Sequence, residues 1–222
     1  MSYETPRTVP RFPLPKEKMK FVFAEGEKVF AVRDISLRGL GISLLEFGDS
    51  LYFPVDYRCQ AELNLDDGKP MLVHVCVKRV NSWSVGFTFE DLEPSQEERI
   101  RAFVDPLHIG TTLKLVDPRG APEAFGEGLS AWYHGDSATD FFLWNNARGG
   151  VRRALFCTGA RFWEWEGGSG AATGSIEREE GDQVTLRKDA TPAARTRALV
   201  RKVLEHAEVL DYRLVSFLKQ KT

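Results

Sequence analysis

Over the first ninety residues the apolar positions come in short alternating runs broken by turn residues, a pattern that suits strands and excludes long helices. Arg58–Leu65 is the clearest run, with Cys59, Ala61, Leu63 and Leu65 alternating with polar residues. Five further runs read the same way: Met19–Phe23, Lys28–Ile35, Gly41–Leu45, Met71–Val80 and Trp83–Glu90. In Lys28–Ile35 the alternation sets Val29, Ala31 and the Ile35 region inside. Ala24-Glu25-Gly26-Glu27 reads as a turn, and Asp66-Asp67-Gly68-Lys69 as a hairpin loop. Ser95-Gln96-Glu97-Glu98 has capping-box spacing, and Ile100, Phe103 and Val104 follow at helical intervals. These features predict a small six-stranded antiparallel barrel with a short closing helix.

Upstream of the first strand lies Arg7-Thr8-Val9-Pro10-Arg11, an R-x-x-x-R among Pro6, Pro10, Pro13 and Pro15. Proline fixes φ and lacks the N–H, so this stretch cannot be a regular helix and reads as an extended arm. Residues i and i+4 of an extended chain point the same way, so Arg7 and Arg11 would form a two-pronged cationic clamp. Guanidinium groups fork onto phosphate oxygens or the O6/N7 edge of guanine, and stack on purine faces. A solvated basic tail is the plain alternative.

Downstream, Asp34-Ile35-Ser36-Leu37-Arg38-Gly39 ends a strand-like run with a D-x-S-x-x-G. Asp34 can accept the N–H donors of a guanine edge, and the Ser36 hydroxyl can donate or accept. Gly39, without a Cβ, lets the chain turn sharply or a flat ligand approach the backbone. An ordinary strand-to-turn junction uses the same residue types.

R-x-x-x-R followed across a hairpin by D-x-S-x-x-G resembles the signature of PilZ domains, bacterial receptors for cyclic di-GMP. Val85-Gly86-Phe87-Thr88-Phe89 is similar to the G-x-x-F-type close of that barrel. The resemblance covers residues 5–107 and implies a cyclic di-GMP site formed by Arg7, Arg11, Asp34, Ser36 and Gly39. Pro6 stands where the family's residue before the first Arg bears on whether one ligand or a stacked pair is bound. The resemblance also implies an order–disorder switch, in which a mobile arm is drawn by ligand against the barrel and alters contacts with the second domain or a partner. A PilZ-like adaptor that binds protein and not nucleotide is the other reading within this family.

The second half carries strand-like runs at Thr112–Val116, Leu129–Tyr133, Phe141–Trp144, Arg153–Cys157 and Arg161–Trp165. A hairpin over Ser175–Glu179 and Gln183–Arg187, turning at Glu180-Gly181-Asp182, follows. Pro106–Gly110 reads as a linker. Thr191-Pro192 suits a helix start, and Leu199, Val203, Ala207, Leu210, Leu214 and Phe217 form one stripe, so a long final helix is expected. The organisation is then residues 1–107 as the barrel with its Arg arm and 111–222 as an α+β output or interaction domain. The fold class is mainly β with α.

Several polar groups there have plain explanations. His134-Gly135-Asp136 with Ser130 could suggest a base, its orienter and a nucleophile, but a surface turn suits them as well. Gly167-Gly168-Ser169-Gly170 lacks the Lys-Ser/Thr of a phosphate loop and reads as a hairpin loop. Trp163 and Trp165 share one face of a strand, as a core pair or a partner-binding patch.

A net charge of −2 spread along 222 residues offers no basic stripe for a nucleic-acid polymer. The chain lacks a long apolar run or a signal-peptide pattern at its start, so a cytoplasmic location is expected. Cys59, Cys76 and Cys157 fit neither a zinc motif nor a disulfide framework. The expectation is a receptor without catalytic activity or metal, with cyclic di-GMP as ligand, no cofactor, a protein partner and no membrane insertion.

Overall fold

The computed structural model describes residues 10–23, 28–65, 68–121, 125, 128–178 and 184–222. The chain divides into two compact units, Met1–Asp105 and Pro106–Thr222.

In the first unit the strands are β1 (Phe12–Pro13), β2 (Lys20–Phe23), β3 (Lys28–Ser36), β4 (Gly39–Ser43), β5 (Arg58–Asn64), β6 (Pro70–Asn81) and β7 (Ser84–Glu90). Six of them close into an antiparallel barrel in the order β3-β2-β5-β6-β7-β4, with β4 returning to β3. The short β1 lies beside the end of β3, with Phe12 opposite Ile35 and Pro13 opposite Asp34. The expected turns at residues 24–27 and 66–67 lie outside the described residues.

Aromatic rings fill the interior. Phe53 packs edge-on against Phe30 and Phe87, and Phe21 stacks on Phe87 at 4.9 Å. Burial along β3 corrects the expected register. Phe30 and Val32 are the inward residues, while Val29 is exposed. The inward set then jumps to Ile35 because Val32 pairs with Ile42 and Asp34 with Gly41, leaving Arg33 as an extra residue. Such a β-bulge breaks strict alternation, which the sequence pattern alone assumes.

Helix α1 (Pro94–Thr112) buries Ile100, Phe103 and Val104 as expected, but it is much longer than expected. Pro106 lies inside it, so the linker expected at 106–110 is helical. Pro removes one helical hydrogen bond. Burial of Leu107, Ile109 and Leu113 around it favours continuing the helix. Gln96 caps the start by accepting from Glu93 N–H at 2.8 Å, and its Nε2 donates to the Leu72 carbonyl.

The second unit is a seven-stranded antiparallel meander in sequential order. It comprises β8 (Lys114–Val116), β9 (Ala131–Gly135), β10 (Thr139–Asn145), β11 (Val151–Thr158), β12 (Arg161–Glu166), β13 (Gly170–Arg178) and β14 (Val184–Lys188). The turn expected at 180–182 lies outside the described residues. Both faces are covered, so Phe141-Phe142-Leu143-Trp144 is buried throughout. Phe141, Leu143, Phe156 and Trp163 form one core with Val200, Val203, Leu204 and Leu218 of the C-terminal helices. Phe142, Trp144, Leu155 and Phe162 form another with Phe125.

The expected long final helix is two helices, α2 (Ala194–His206) and α3 (Tyr212–Lys219). Asp211 breaks the stripe by accepting from Arg213 and Leu214 N–H as the N-cap of α3. Trp163 is fully buried, and Trp165 packs edge-on against Phe217 at 5.0 Å, so this pair is core and not a partner-binding patch. All three cysteines are buried and none forms a disulfide, and burial pushes the Cys157 thiol up to about 12. No helix among the described residues is long and apolar enough to cross a membrane.

Candidate ligand-binding site

Strand β3 carries the centre of the site. Its bulge turns Arg33 and Asp34, neighbours that a regular strand would send to opposite faces, toward one another. Arg33 Nε and Nη2 both donate to Asp34 Oδ2, at 3.0 and 2.9 Å. From the residue just before β1, Arg11 Nη1 donates to Asp34 Oδ1 at 2.7 Å. The arm motif and the strand motif therefore meet at one carboxylate.

The Asp34 side chain is only 13 % exposed, against 26 % for Arg11 and 55 % for Arg33. Burial alone would raise the Asp34 carboxyl. The hydrogen bonds from Arg11 and then Arg33, with their charges, outweigh it and hold the carboxyl below its ordinary value of 3.8.

Part of the arm packs on the barrel. Leu14 N–H donates to the Arg33 carbonyl at 2.8 Å, and Phe12 and Leu14 are buried. These two side chains anchor residues 12–14 on the barrel. Arg7 and Pro6 lie outside the described residues.

Ser36 is 3 % exposed and closes the β3–β4 turn. Its Oγ donates to the Gly39 carbonyl at 3.1 Å and accepts from Arg38 N–H at 3.3 Å. Gly39 is needed for packing: a Cβ there would sit 2.1 Å from the Phe87 carbonyl oxygen on β7. The close approach expected at this glycine is thus made by a neighbouring strand.

Two further residues belong to the site. Gly41, opposite Asp34, leaves room for the carboxylate, since a Cβ there would lie 2.8 Å from Oδ2 and 3.0 Å from Oδ1. Its signal in the sequence is the alternate spacing Gly39-Leu40-Gly41, which places both glycines on one face of β4. Arg33 has no spacing signal. Only the jump of the inward set from Val32 to Ile35 marks the bulge that recruits it.

In the second unit, His134 Nδ1 pairs with Asp140 at 2.8 Å and not with Asp136. Asp140 also accepts from Trp132 Nε1. Ser130 Oγ accepts from Asn145 N–H. These contacts bind strand to strand and do not assemble the suggested triad. Gly167–Gly170 forms the β12–β13 turn. No group of three or more His, Cys, Asp or Glu among the described residues is placed to hold a metal.

Chemically, the first unit presents a carboxylate whose oxygens are filled by guanidinium donors, beside cationic groups that reach the surface. It can exchange N–H donors with a planar ligand and offer fixed positive charge to phosphate.

The PilZ domain family model matches residues 7–105. Among solved structures, the PilZ domain of YcgR from Escherichia coli with c-di-GMP is 18 % identical over 46 % of this chain and 91 % of that one, with a TM-score of 0.38. The K. pneumonia MrkH–c-di-GMP complex is 21 % identical over 47 % of this chain and 52 % of that one, also with a TM-score of 0.38. The PlzA protein of Borreliella burgdorferi in complex with c-di-GMP is 9 % identical over 87 % and 93 % of the two chains, with a TM-score of 0.27. No curated protein matches the chain. Residues 7–105, a little under half of the chain, thus match the PilZ domain family.

Proposed function

We propose that the N-terminal half is a receptor for cyclic di-GMP, with no catalytic role and no cofactor. Arg7 and Arg11 hold the ligand's phosphates and purine acceptors, and Asp34 takes the N1–H and N2–H₂ donors of a guanine. Ser36 and Gly39 fix the turn that aims Asp34. The observation that carries this reading is the Arg11–Asp34 contact, which joins the two motifs at one point on the barrel. The match of residues 7–105 to the PilZ domain family supports it.

Arg11 keeps its bond to Asp34 and turns its remaining N–H groups to phosphate, and the drawing of Arg7 onto the ligand is the local change that alters partner contacts. Residues 111–222 serve as the output or interaction region toward a protein partner, in the cytoplasm.

Calorimetric titration with cyclic di-GMP and cyclic di-AMP tests the reading. Cyclic di-GMP should bind and cyclic di-AMP should bind far more weakly, because adenine lacks the donors that Asp34 accepts and leaves it unpaired. Equal affinities would mean that only phosphates are read. An absence of heat with either would favour an adaptor that binds protein alone.

A further inference from the structure

The carboxylate that should read guanine is already occupied. Arg11 fills one position on Oδ1, and Arg33 places two donors on Oδ2. An ionised carboxylate offers about four acceptor positions. Three are taken, and a guanine edge needs one on each oxygen for its parallel N1–H and N2–H₂ pair. One donor group must leave before that edge can dock.

The geometry decides which. Arg11 makes the shorter contact, 2.7 Å, and is the less exposed of the two cations. Arg33 is more than half exposed and its bonds are longer, so it is the more readily displaced. Its two adjacent N–H donors also reproduce the chemistry of the guanine edge, since a guanidinium side presents the same pair of neighbouring N–H groups. A regular strand would point Arg33 away from Asp34. The bulge between Val32 and Asp34 is what supplies it.

We propose that Arg33 is a built-in stand-in for guanine: it occupies Asp34 until the N–H edge of the ligand displaces it, and so lowers affinity for guanine-bearing ligands. The inference rests on the cyclic di-GMP reading above. Arg33 is a positioning residue, acting through Asp34.

The test compares the full chain with Arg33→Gln, titrated with cyclic di-GMP and cyclic di-AMP at one ionic strength, together with the carboxyl titration of Asp34 followed by NMR without ligand. Removing a positive charge should weaken both dianionic ligands alike, so the ratio of their dissociation constants isolates the competition. An exposed ion pair of this kind should raise the preference for cyclic di-GMP about two- to fivefold when lost. The Asp34 titration should move upward in the variant, toward the ordinary carboxylate value. A preference that is unchanged or reduced would overturn the proposal, the latter making Arg33 a residue that holds ligand. An Asp34 titration identical in the two proteins would also overturn it, while leaving the cyclic di-GMP reading intact. Failure of the unsubstituted chain to bind either dinucleotide would instead overturn that reading and the proposal with it.

Discussion

Gly39 and Gly41 share one face of β4, yet alanine at each should fail in a different way. At Gly41 the new Cβ meets the Asp34 carboxylate at 2.8 Å, the mobile end of a side chain. The carboxylate must retreat by roughly half an ångström to regain ordinary contact. That shift stretches its 2.7 Å bond from Arg11 and disturbs both bonds from Arg33. The fold should barely notice. These ion pairs are partly exposed and contribute about 0–1 kcal/mol each. Gly→Ala returns about 0.4–1 kcal/mol by restricting the unfolded chain where the native backbone accepts it, and Gly41 has no positive φ. The melting temperature should therefore move by no more than about 2–4 °C.

Binding should fall much further. Losing one charge-assisted hydrogen bond costs about 1.5–3 kcal/mol, or roughly ten- to more than a hundredfold in affinity for cyclic di-GMP. At Gly39 the new Cβ would instead lie 2.1 Å from the Phe87 carbonyl oxygen and 3.1 Å from Thr88 Cα, both backbone atoms. Strand β4 would have to part from β7, and a loss of more than about 4 kcal/mol is expected. Circular dichroism melting and calorimetry on the two variants separate the outcomes. Wild-type affinity in a folded Gly41→Ala protein, or equal unfolding of both variants, would refute the claim that Gly41 serves Asp34 while Gly39 serves the barrel.

Arg7→Ala and Arg11→Ala should each weaken cyclic di-GMP binding by about ten- to a hundredfold or more, and Arg→Lys should not restore it because ammonium cannot fork or stack; near-wild-type affinity in both alanine variants would count against the clamp. In the second unit, Glu164 is 6 % exposed and held by Arg153 and Lys188 at 2.6 and 2.8 Å. Burial raises its carboxyl, but the Lys188 hydrogen bond and the Arg153 charge outweigh this and hold it below its ordinary 4.5. A depressed folded value gives stability that is complete above the unfolded pKa and fades as pH falls through the folded one. Glu164→Gln should therefore cost about 1–3 kcal/mol at pH 7, and its denaturation curve should converge with that of the parent only as pH falls through the depressed folded value, below the ordinary 4.5; an equal gap at pH 7 and at the acid end would exclude the ion pair as the cause. A fragment of residues 1–112, keeping all of α1, should bind with nearly full affinity, and residues 113–222 alone should not; folded 1–112 with most affinity lost would assign ligand contacts to the second half.

The strand runs of both halves were readable because one-sided or two-sided burial leaves a direct mark on hydrophobic order. Cys59, Ala61 and Leu63 alternate, and Phe141 to Trp144 do not, for the same physical reason. Two motifs across a hairpin made a shared site legible, but not that Arg11 pairs directly with Asp34. What stayed hidden depends on single backbone events. One extra residue at Arg33 reverses the inward set of β3 and brings a second guanidinium to Asp34. Pro106 looked like a boundary, yet burial of Leu107 and Ile109 carries α1 past it. Asp211 sits beside an unbroken apolar stripe, and only its capping contacts reveal two helices. Gly39 was legible as a close approach, but not which chain approaches.

The central claim is that cyclic di-GMP binds at Asp34 on the barrel. Backbone amide and arginine side-chain NMR of the full chain, recorded as cyclic di-GMP is added, tests binding and place together. Saturable shifts should concentrate at Arg11, Arg33, Asp34, Ser36 and Gly39–Gly41, with Asp34→Asn abolishing them at the same ligand concentration. Spectra that do not change, or saturable shifts centred in residues 113–222 and indifferent to Asp34→Asn, would contradict it.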